Sequence, residues 1–158
     1  MLQALDAGGV EGGLTGGWGI DALLGRQTRP HSDIDLGIDA SRLDAAVAIL
    51  GTLGYEVVAD QRPARVELSA TTGRVDLHPI EWQPDGSGRQ TGFGSEVFVY
   101  PAGSLSARGV IARRPVRCGT PELQLAFHSD YQPRDHDRRD MAALSERFGL
   151  ALPPAYRT

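Results

Sequence analysis

The sequence is short of several things, each of which would point elsewhere. It holds a single cysteine, Cys118, in 158 residues. That excludes an intramolecular disulfide and a cysteine metal cluster, and it suits a reducing compartment. No stretch approaches the roughly 18–20 apolar residues that a membrane-spanning helix needs. Residues 1–10 lack a basic segment followed by a long apolar run, so the expectation is no signal peptide, no membrane partner and a cytoplasmic location. Positive charge is not in excess: 16 basic against 20 acidic residues leave a net charge of −4. Nucleic acid is therefore not expected as a partner, because binding by counterion release needs a basic surface. There is no internal repeat and no low-complexity tract. What remains is a balance of 41% hydrophobic and 23% charged residues, in a length that suits one domain with a buried core.

What the chain does have is a glycine-rich opening that leads into a carboxylate pair. The segment Gly16-Gly17-Trp18-Gly19-Ile20-Asp21-Ala22-Leu23-Leu24-Gly25-Arg26 is followed by His31-Ser32-Asp33-Ile34-Asp35-Leu36. Glycines allow tight positive-φ turns and close approach of a phosphate, and the helix start that follows offers unpaired N–H groups. A strand puts residues i and i+2 on one face. Asp33 and Asp35 therefore point one way while Ile34, Leu36 and Ile38 point the other. A third carboxylate, Asp76, lies in another apparent strand, Arg74-Val75-Asp76-Leu77-His78. Hard oxygen ligands on one face suit Mg²⁺ ions that also bind substrate phosphates.

The rest of the chain reads as α+β. The glycine-rich opening admits a short strand over Val10–Thr15, and a helix over Trp18–Leu24 stops at Gly25. The carboxylate strand covers Ile34–Ile38. Ser41 is expected to cap a helix reaching Leu53, with Asp44 as its capping-box partner. Strands are expected over 55–59, 64–70, 74–80, 97–100, 110–111 and 115–117, with residues 84–94 as a polar loop. Helices follow from Thr120-Pro121-Glu122 and over Asp135–Phe148, ended by Gly149. This divides the chain into a core, residues 1–118, and a helical segment, residues 119–158, packed on it as one compact unit.

Any one of these signals alone has an ordinary explanation: a strand-to-helix turn, an edge-strand pair of surface acids, a lone strand carboxylate. Together they suit nucleotidyl transfer, in which Asp33 and Asp35 serve the metals and Asp76 takes the proton of an attacking hydroxyl. Arg26, Arg29 and His31 lie where they could reach β- and γ-phosphates, or they form a solvated loop. His78 shares a face with Asp76 and either lines the site or is satisfied beside the sheet. Trp82 follows the Asp76 strand and is read as packing, with ligand stacking as the alternative. Asp21 reads as structural. The run Asp135-His136-Asp137-Arg138-Arg139-Asp140 reads as a solvated helix face.

The stretch GGWGIDALLGRQTRPHSDIDL resembles the signature of the small antibiotic nucleotidyltransferases. It is most similar to the short lincosamide enzymes, with the aminoglycoside 2″-nucleotidyltransferases as relatives. The resemblance continues through VDLHPIEW, GVIARRPVRC and FHSDYQPRDHDRRDMAALSERFG. It implies the polymerase-β type of nucleotidyltransferase fold, a mixed sheet flanked by helices. It also implies Mg²⁺-dependent transfer of a nucleoside monophosphate, usually AMP from ATP, to a drug hydroxyl, with two ions expected. By that resemblance Asp33, Asp35 and Asp76 are the metal ligands, Asp76 is also the base, and Gly16, Gly17 and Arg26 belong to the phosphate side, with Arg29 and His31 beside them. Where relatives carry an acidic residue before the glycine pair, this chain has Thr15. The chain is too short for the larger C-terminal helical domain of longer relatives, so a homodimer that completes the cleft is expected. The alternatives are an aminoglycoside acceptor, a protein or tRNA hydroxyl, and a non-catalytic nucleotide-binding module.

Overall fold

A computed structural model describes residues 1–129 and 131–157. In chain order the elements are α1 (Leu2–Ala7), β1 (Gly12–Leu14), α2 (Gly16–Leu24), β2 (Asp33–Asp39), α3 (Leu43–Thr52), β3 (Glu56–Gln61), β4 (Arg65–Ala70), β5 (Gly73–Trp82), β6 (Gly88–Thr91), β7 (Val97–Tyr100), β8 (Ala107–Ile111), β9 (Arg114–Cys118), α4 (Pro121–Phe127) and α5 (Asp135–Phe148). The sheet runs β3-β4-β5-β2-β1-β9-β8, with β6 continuing from the end of β5 and β7 pairing with β6. Pairs β2/β5 and β1/β9 are parallel and the others antiparallel. A mixed sheet flanked by helices is the α+β architecture expected.

Alternation along β2 decides the layering. Leu36 and Ile38 are buried on one face together with Val75 and Leu77 of β5 and Val66 and Leu68 of β4. The loop out of β2 must cross over to return parallel as β5, and α3 fills that crossover, adding Leu43, Ala46 and Leu50 to the same core. The opposite face receives Asp35, Asp76 and His78. Lower on that face Ile80 packs with Tyr100, Leu105 and Leu123. A third cluster, Ile20, Met141, Leu144 and Tyr156, joins α2 to α5.

Three local expectations are corrected and one helix is added. The helix after β2 is entered through a 3₁₀ turn, Ala40–Arg42, whose cap is Asp39: its side chain accepts from the Ser41 N–H at 2.8 Å, and Ser41 caps nothing. The polar segment 84–94 contains strand β6. A six-residue helix, α1, precedes the glycine-rich opening. And the charged run at 135–140 is only in part a solvated face. Asp137 and Asp140 share the buried face of α5 with Met141 and Leu144, and are 1% and 4% exposed. They repeat at helical spacing, which a purely apolar pattern conceals, and each is paired with an arginine.

Asp137 closes the first turn of α5 by accepting from the Arg134 backbone N–H at 2.9 Å and from its guanidinium at 3.0 Å. Burial pushes this carboxyl up, but the Arg134 hydrogen bonds outweigh it and hold it below its usual value. A depressed carboxylate stabilises the fold above the ordinary carboxylate range and loses that contribution as pH falls through its folded value. Asp137→Ala is expected to cost about 1–2 kcal/mol in denaturant unfolding at neutral pH. The deficit should shrink below about pH 4; an equal deficit at every pH would show that the carboxylate charge contributes nothing.

Candidate active site

The parallel register of β2 and β5 sets Asp35 directly beside Asp76, and Asp33 beside Arg74. Oxygens of Asp35 and Asp76 and a ring nitrogen of His78 lie within 4.8 Å of one another. Asp33 occupies the same face of β2, two residues nearer its start, outside this cluster. Asp35 uses Oδ1 toward His78 Nε2 at 3.1 Å. Asp76 uses Oδ2 to accept from Arg65 at 2.8 Å. The other oxygen of each carboxylate has no hydrogen bond among the described residues. Burial pushes the Asp76 carboxyl above its usual value, Arg65 opposes that, and the Asp35 charge adds to it.

The glycine pair abuts this cluster. The Thr15 N–H donates to the Asp35 carbonyl at 3.0 Å, which fixes the start of α2 against β2. Gly16 has φ +57°, a conformation in which a side chain is strained, and a Cβ there would overlap the Asp35 carboxylate. A Cβ on Gly17 would overlap the His31 ring and press on the Arg29 guanidinium. The first-turn N–H groups of α2 have no intrahelical acceptor, and Asp35, His31 and Arg29 lie against this helix start. Carboxylates on one side and helix N–H groups with a guanidinium on the other suit a divalent cation and a polyphosphate bound together.

The loop before β2 is mostly exposed, but Arg29 and His31 in it are held in place. Asp21, fully buried in α2, accepts from the Thr28 N–H at 3.0 Å and the Thr28 hydroxyl at 2.6 Å, and pairs with His31 Nε2 at 2.5 Å. Arg29 donates twice to Asp140 of α5, at 3.1 and 3.0 Å. These bonds bring Arg29 and His31 beside Gly17. Arg26 is not brought there: it lines a separate hollow with Leu24, Ala143, Glu146 and Arg147, because Gly25 at φ +70° turns the chain outward at the end of α2. Trp82 lies at the far end of β5, against Tyr100 and beside Gly12 and Gly103, and His128 hydrogen-bonds the Gln124 carbonyl of its own helix at 2.7 Å.

Arg65, Phe93 and Gln90 went unseen in the sequence. Arg65 was accessible: a tight turn at 71–72 pairs Glu67 with Asp76, so the next residue on that face toward the start of β4 is Arg65. Its guanidinium sits 5.6 Å over the Phe93 ring. Gln90 lies in β6, where the polar glycine-rich sequence carries no strand signal.

The aminoglycoside-2″-adenylyltransferase family model matches residues 1–144. The chain belongs to that family. A lincosamide resistance protein of Staphylococcus haemolyticus is 35% identical over 132 residues, spanning 83% of this chain and 81% of that protein. A 2″-aminoglycoside nucleotidyltransferase of Escherichia coli is 36% identical over 126 residues, 77% of this chain but 65% of its own length. Among solved structures, a lincosamide antibiotic adenylyltransferase bound to lincomycin superposes with a TM-score of 0.79 at 32% identity, covering 91% of both chains. An aminoglycoside enzyme holding adenylyl-2″-tobramycin gives 0.74 at 29% identity, over 94% of this chain and 85% of that one. By family the chain is a nucleotidyltransferase of the antibiotic-modifying type, with the nucleotidyltransferase fold expected from its sequence.

The glycine geometry yields a paired test. Gly16→Ala should abolish turnover and nucleotide binding, measured by calorimetry, while costing about 1–2 kcal/mol of stability for the left-handed residue. Gly51→Ala, at a helical position with nothing within 4 Å of the added Cβ, should raise stability by about 0.5–1 kcal/mol and leave turnover unchanged. Retained nucleotide affinity in Gly16→Ala would show that the glycine pair is only a turn.

Proposed function

We propose that the protein transfers a nucleoside monophosphate, AMP from ATP as the first choice of donor, to a hydroxyl of a lincosamide. The observation that supports the chemistry is the pairing of Asp35 with Asp76 across β2 and β5, next to the glycine-lined start of α2. In this reading the acceptor O–H gives its proton to Asp76 Oδ1, its oxygen attacks the α-phosphorus, and the bond from that phosphorus to the bridging oxygen breaks to release pyrophosphate. Arg65 holds Oδ2, and so turns the other oxygen toward the acceptor. The backbone N–H groups of Gly16 and Gly17, with Arg29 and His31, receive the β- and γ-phosphates.

Each of the three carboxylates carries an oxygen with no hydrogen bond among the described residues, a donor set that fits Mg²⁺. Asp33, Asp35 and Asp76 would hold two such ions, which neutralise phosphate charge and ease deprotonation of the acceptor. The reaction is placed in the cytoplasm, where both Mg²⁺ and nucleotides are plentiful.

Two observations favour a lincosamide over an aminoglycoside. The lincosamide enzyme superposes more closely, with a TM-score of 0.79 against 0.74 for the aminoglycoside enzyme. Next to Asp76 stands Arg65, whose guanidinium is shared with Glu67 and lies over the half-exposed Phe93 ring, an apolar border that suits a drug with less positive charge. A second protomer completes the acceptor side of the cleft; a monomer by light scattering at micromolar concentration would count against that part.

The deciding assay incubates the protein with Mg²⁺ and each nucleoside triphosphate against lincomycin, clindamycin, kanamycin and tobramycin, with products read by mass spectrometry. An adenylyl adduct on the lincosamides is expected; an adduct confined to kanamycin or tobramycin would reverse the substrate assignment. Asp76→Asn should lower kcat by about 10²–10⁴-fold while nucleotide still binds, whereas a non-catalytic module would show no turnover to lose. Because Asp76 must be ionised to act and its pKa is raised, kcat/KM should fall with acid at a pH above the ordinary carboxylate range. Arg65→Met removes the charge that holds this pKa down, so the acid limb should move to higher pH.

A further inference from the structure

Both ring nitrogens of His78 are engaged, and their partners leave no choice of tautomer. Nδ1 lies 2.9 Å from Gln90 Nε2, and Nε2 lies 3.1 Å from Asp35 Oδ1. A carboxylate oxygen only accepts and an amide NH₂ only donates. Both neighbours therefore require the same ring, with Nδ1 bare and the hydrogen on Nε2. The Gln90 amide is itself fixed. The buried Tyr100 hydroxyl donates to its Oε1 at 2.8 Å, and its Nε2 also donates to the Ala64 carbonyl at 3.2 Å. Reversing the amide would set its oxygen against the Ala64 carbonyl oxygen and forfeit that hydrogen bond. Gln90 is 6% exposed and Tyr100 1%, so the chain Tyr100–Gln90–His78–Asp35 is shielded from water along most of its length.

We propose that Tyr100 and Gln90 are positioning residues that lock His78 as the Nε2–H tautomer, and so reserve the metal site for a hard, oxygen-seeking divalent cation. This rests on reading Asp33, Asp35 and Asp76 as the metal ligands. Two carboxylates and an imidazole within 4.8 Å of one another form a donor set that, left to itself, suits borderline ions. Imidazole binds Zn²⁺, and a given N/O site takes Zn²⁺ ahead of the earlier first-row metals Mn²⁺ and Fe²⁺. An imidazole nitrogen that carries a hydrogen offers no lone pair. With Nε2–H turned to Asp35 and Nδ1 covered by Gln90, only carboxylate oxygens remain, and these suit Mg²⁺. The same bond holds Asp35 Oδ1, which leaves Oδ2 facing Gly16 and the start of α2. Gln90 thereby acts on the metal site through two intervening hydrogen bonds without touching substrate or ion.

The test begins with ¹⁵N-labelled wild-type protein, whose long-range ¹H–¹⁵N ring correlations distinguish the two neutral tautomers. His78 should show the Nε2–H pattern, and keep it when Mg²⁺ is added with a non-hydrolysable ATP analogue. Zn²⁺ is then titrated calorimetrically into wild-type protein, Gln90→Met and Gln90→Met/His78→Gln, with circular dichroism to establish that each is folded. Gln90→Met should bind Zn²⁺ about tenfold more tightly, and His78→Gln in that background should return the affinity to that of the wild type. An Nδ1–H pattern in the wild type, or unchanged Zn²⁺ affinity in folded Gln90→Met, overturns the proposal. Should Gln90→Met not fold, Tyr100→Phe, which removes only the hydroxyl that orients the amide, must shift Zn²⁺ affinity in the same direction or the proposal fails. The underlying metal reading is tested separately: wild-type protein that binds no Mg²⁺ in the presence of the analogue refutes that reading and this one together, whereas Mg²⁺ binding beside an Nδ1–H ring refutes this one alone.

Discussion

Two carboxylates held side by side on adjacent parallel strands repel each other, and the surroundings of Asp35 and Asp76 answer that repulsion. Parallel pairing of β2 with β5 makes them neighbours, and the apolar faces of those same strands are buried beneath them, so neither strand can slip by one residue without exchanging core for carboxylate. Bringing both acids together in a half-buried place costs energy, visible in the raised pKa of Asp76. Arg65 answers on one side and the His78 N–H on the other, each engaging a single oxygen. What is left is a pair of outward oxygens with concentrated negative charge, which is what a divalent cation needs.

The proposed phosphate side is built by the same economy. The chain contains no lysine, so every fixed positive side-chain charge is a guanidinium, with planar, directional donors. Arg29 reaches the start of α2 because Asp140 of α5 receives two of its N–H groups, and His31 reaches it because Asp21 holds the ring. Helix α5 therefore does more than cover α2 through Met141 and Leu144: through one buried carboxylate it sets the aim of a residue more than a hundred positions earlier. Disturbing the cap of α5 at Asp137 should be felt, through Asp140, at the nucleotide.

The meeting of Asp35 and Asp76 beside the glycine pair was legible because it is written in local patterns. Asp33 and Asp35 at i, i+2 announce a strand face, Gly16-Gly17 before a helix announces a phosphate turn, and Asp76 in a strand of like character completes the set. The bounds of α5 and the cap at Thr120 were equally readable, since capping and αL glycines act over a few residues. What stayed hidden depends on pairing between distant segments. Gln90 belongs to a short strand that exists only because β5 and β7 flank it, and Asp137 and Asp140 hide inside a charged run because their arginine partners lie outside it or far off in sequence. Arg26 misled for the opposite reason: it adjoins the motif in sequence, but the left-handed Gly25 directs it elsewhere.

The same contrast explains why the acceptor is harder to read than the reaction. The lincosamide and aminoglycoside relatives are nearly equal in identity to this chain, at 35% and 36%, so identity does not separate the two acceptors. In the proposed reading the acceptor meets what borders Asp76 outside the carboxylate pair: the Arg65 guanidinium and the Phe93 ring against it. These positions are supplied by segments whose own stability comes from β5, so they can change without disturbing the metal and phosphate geometry. A framework that fixes the donor through main-chain pairing and leaves the acceptor to side chains on attached strands is free to exchange one drug hydroxyl for another. In this chain the border of Asp76 combines an arginine, shared with Glu67, and an aromatic ring.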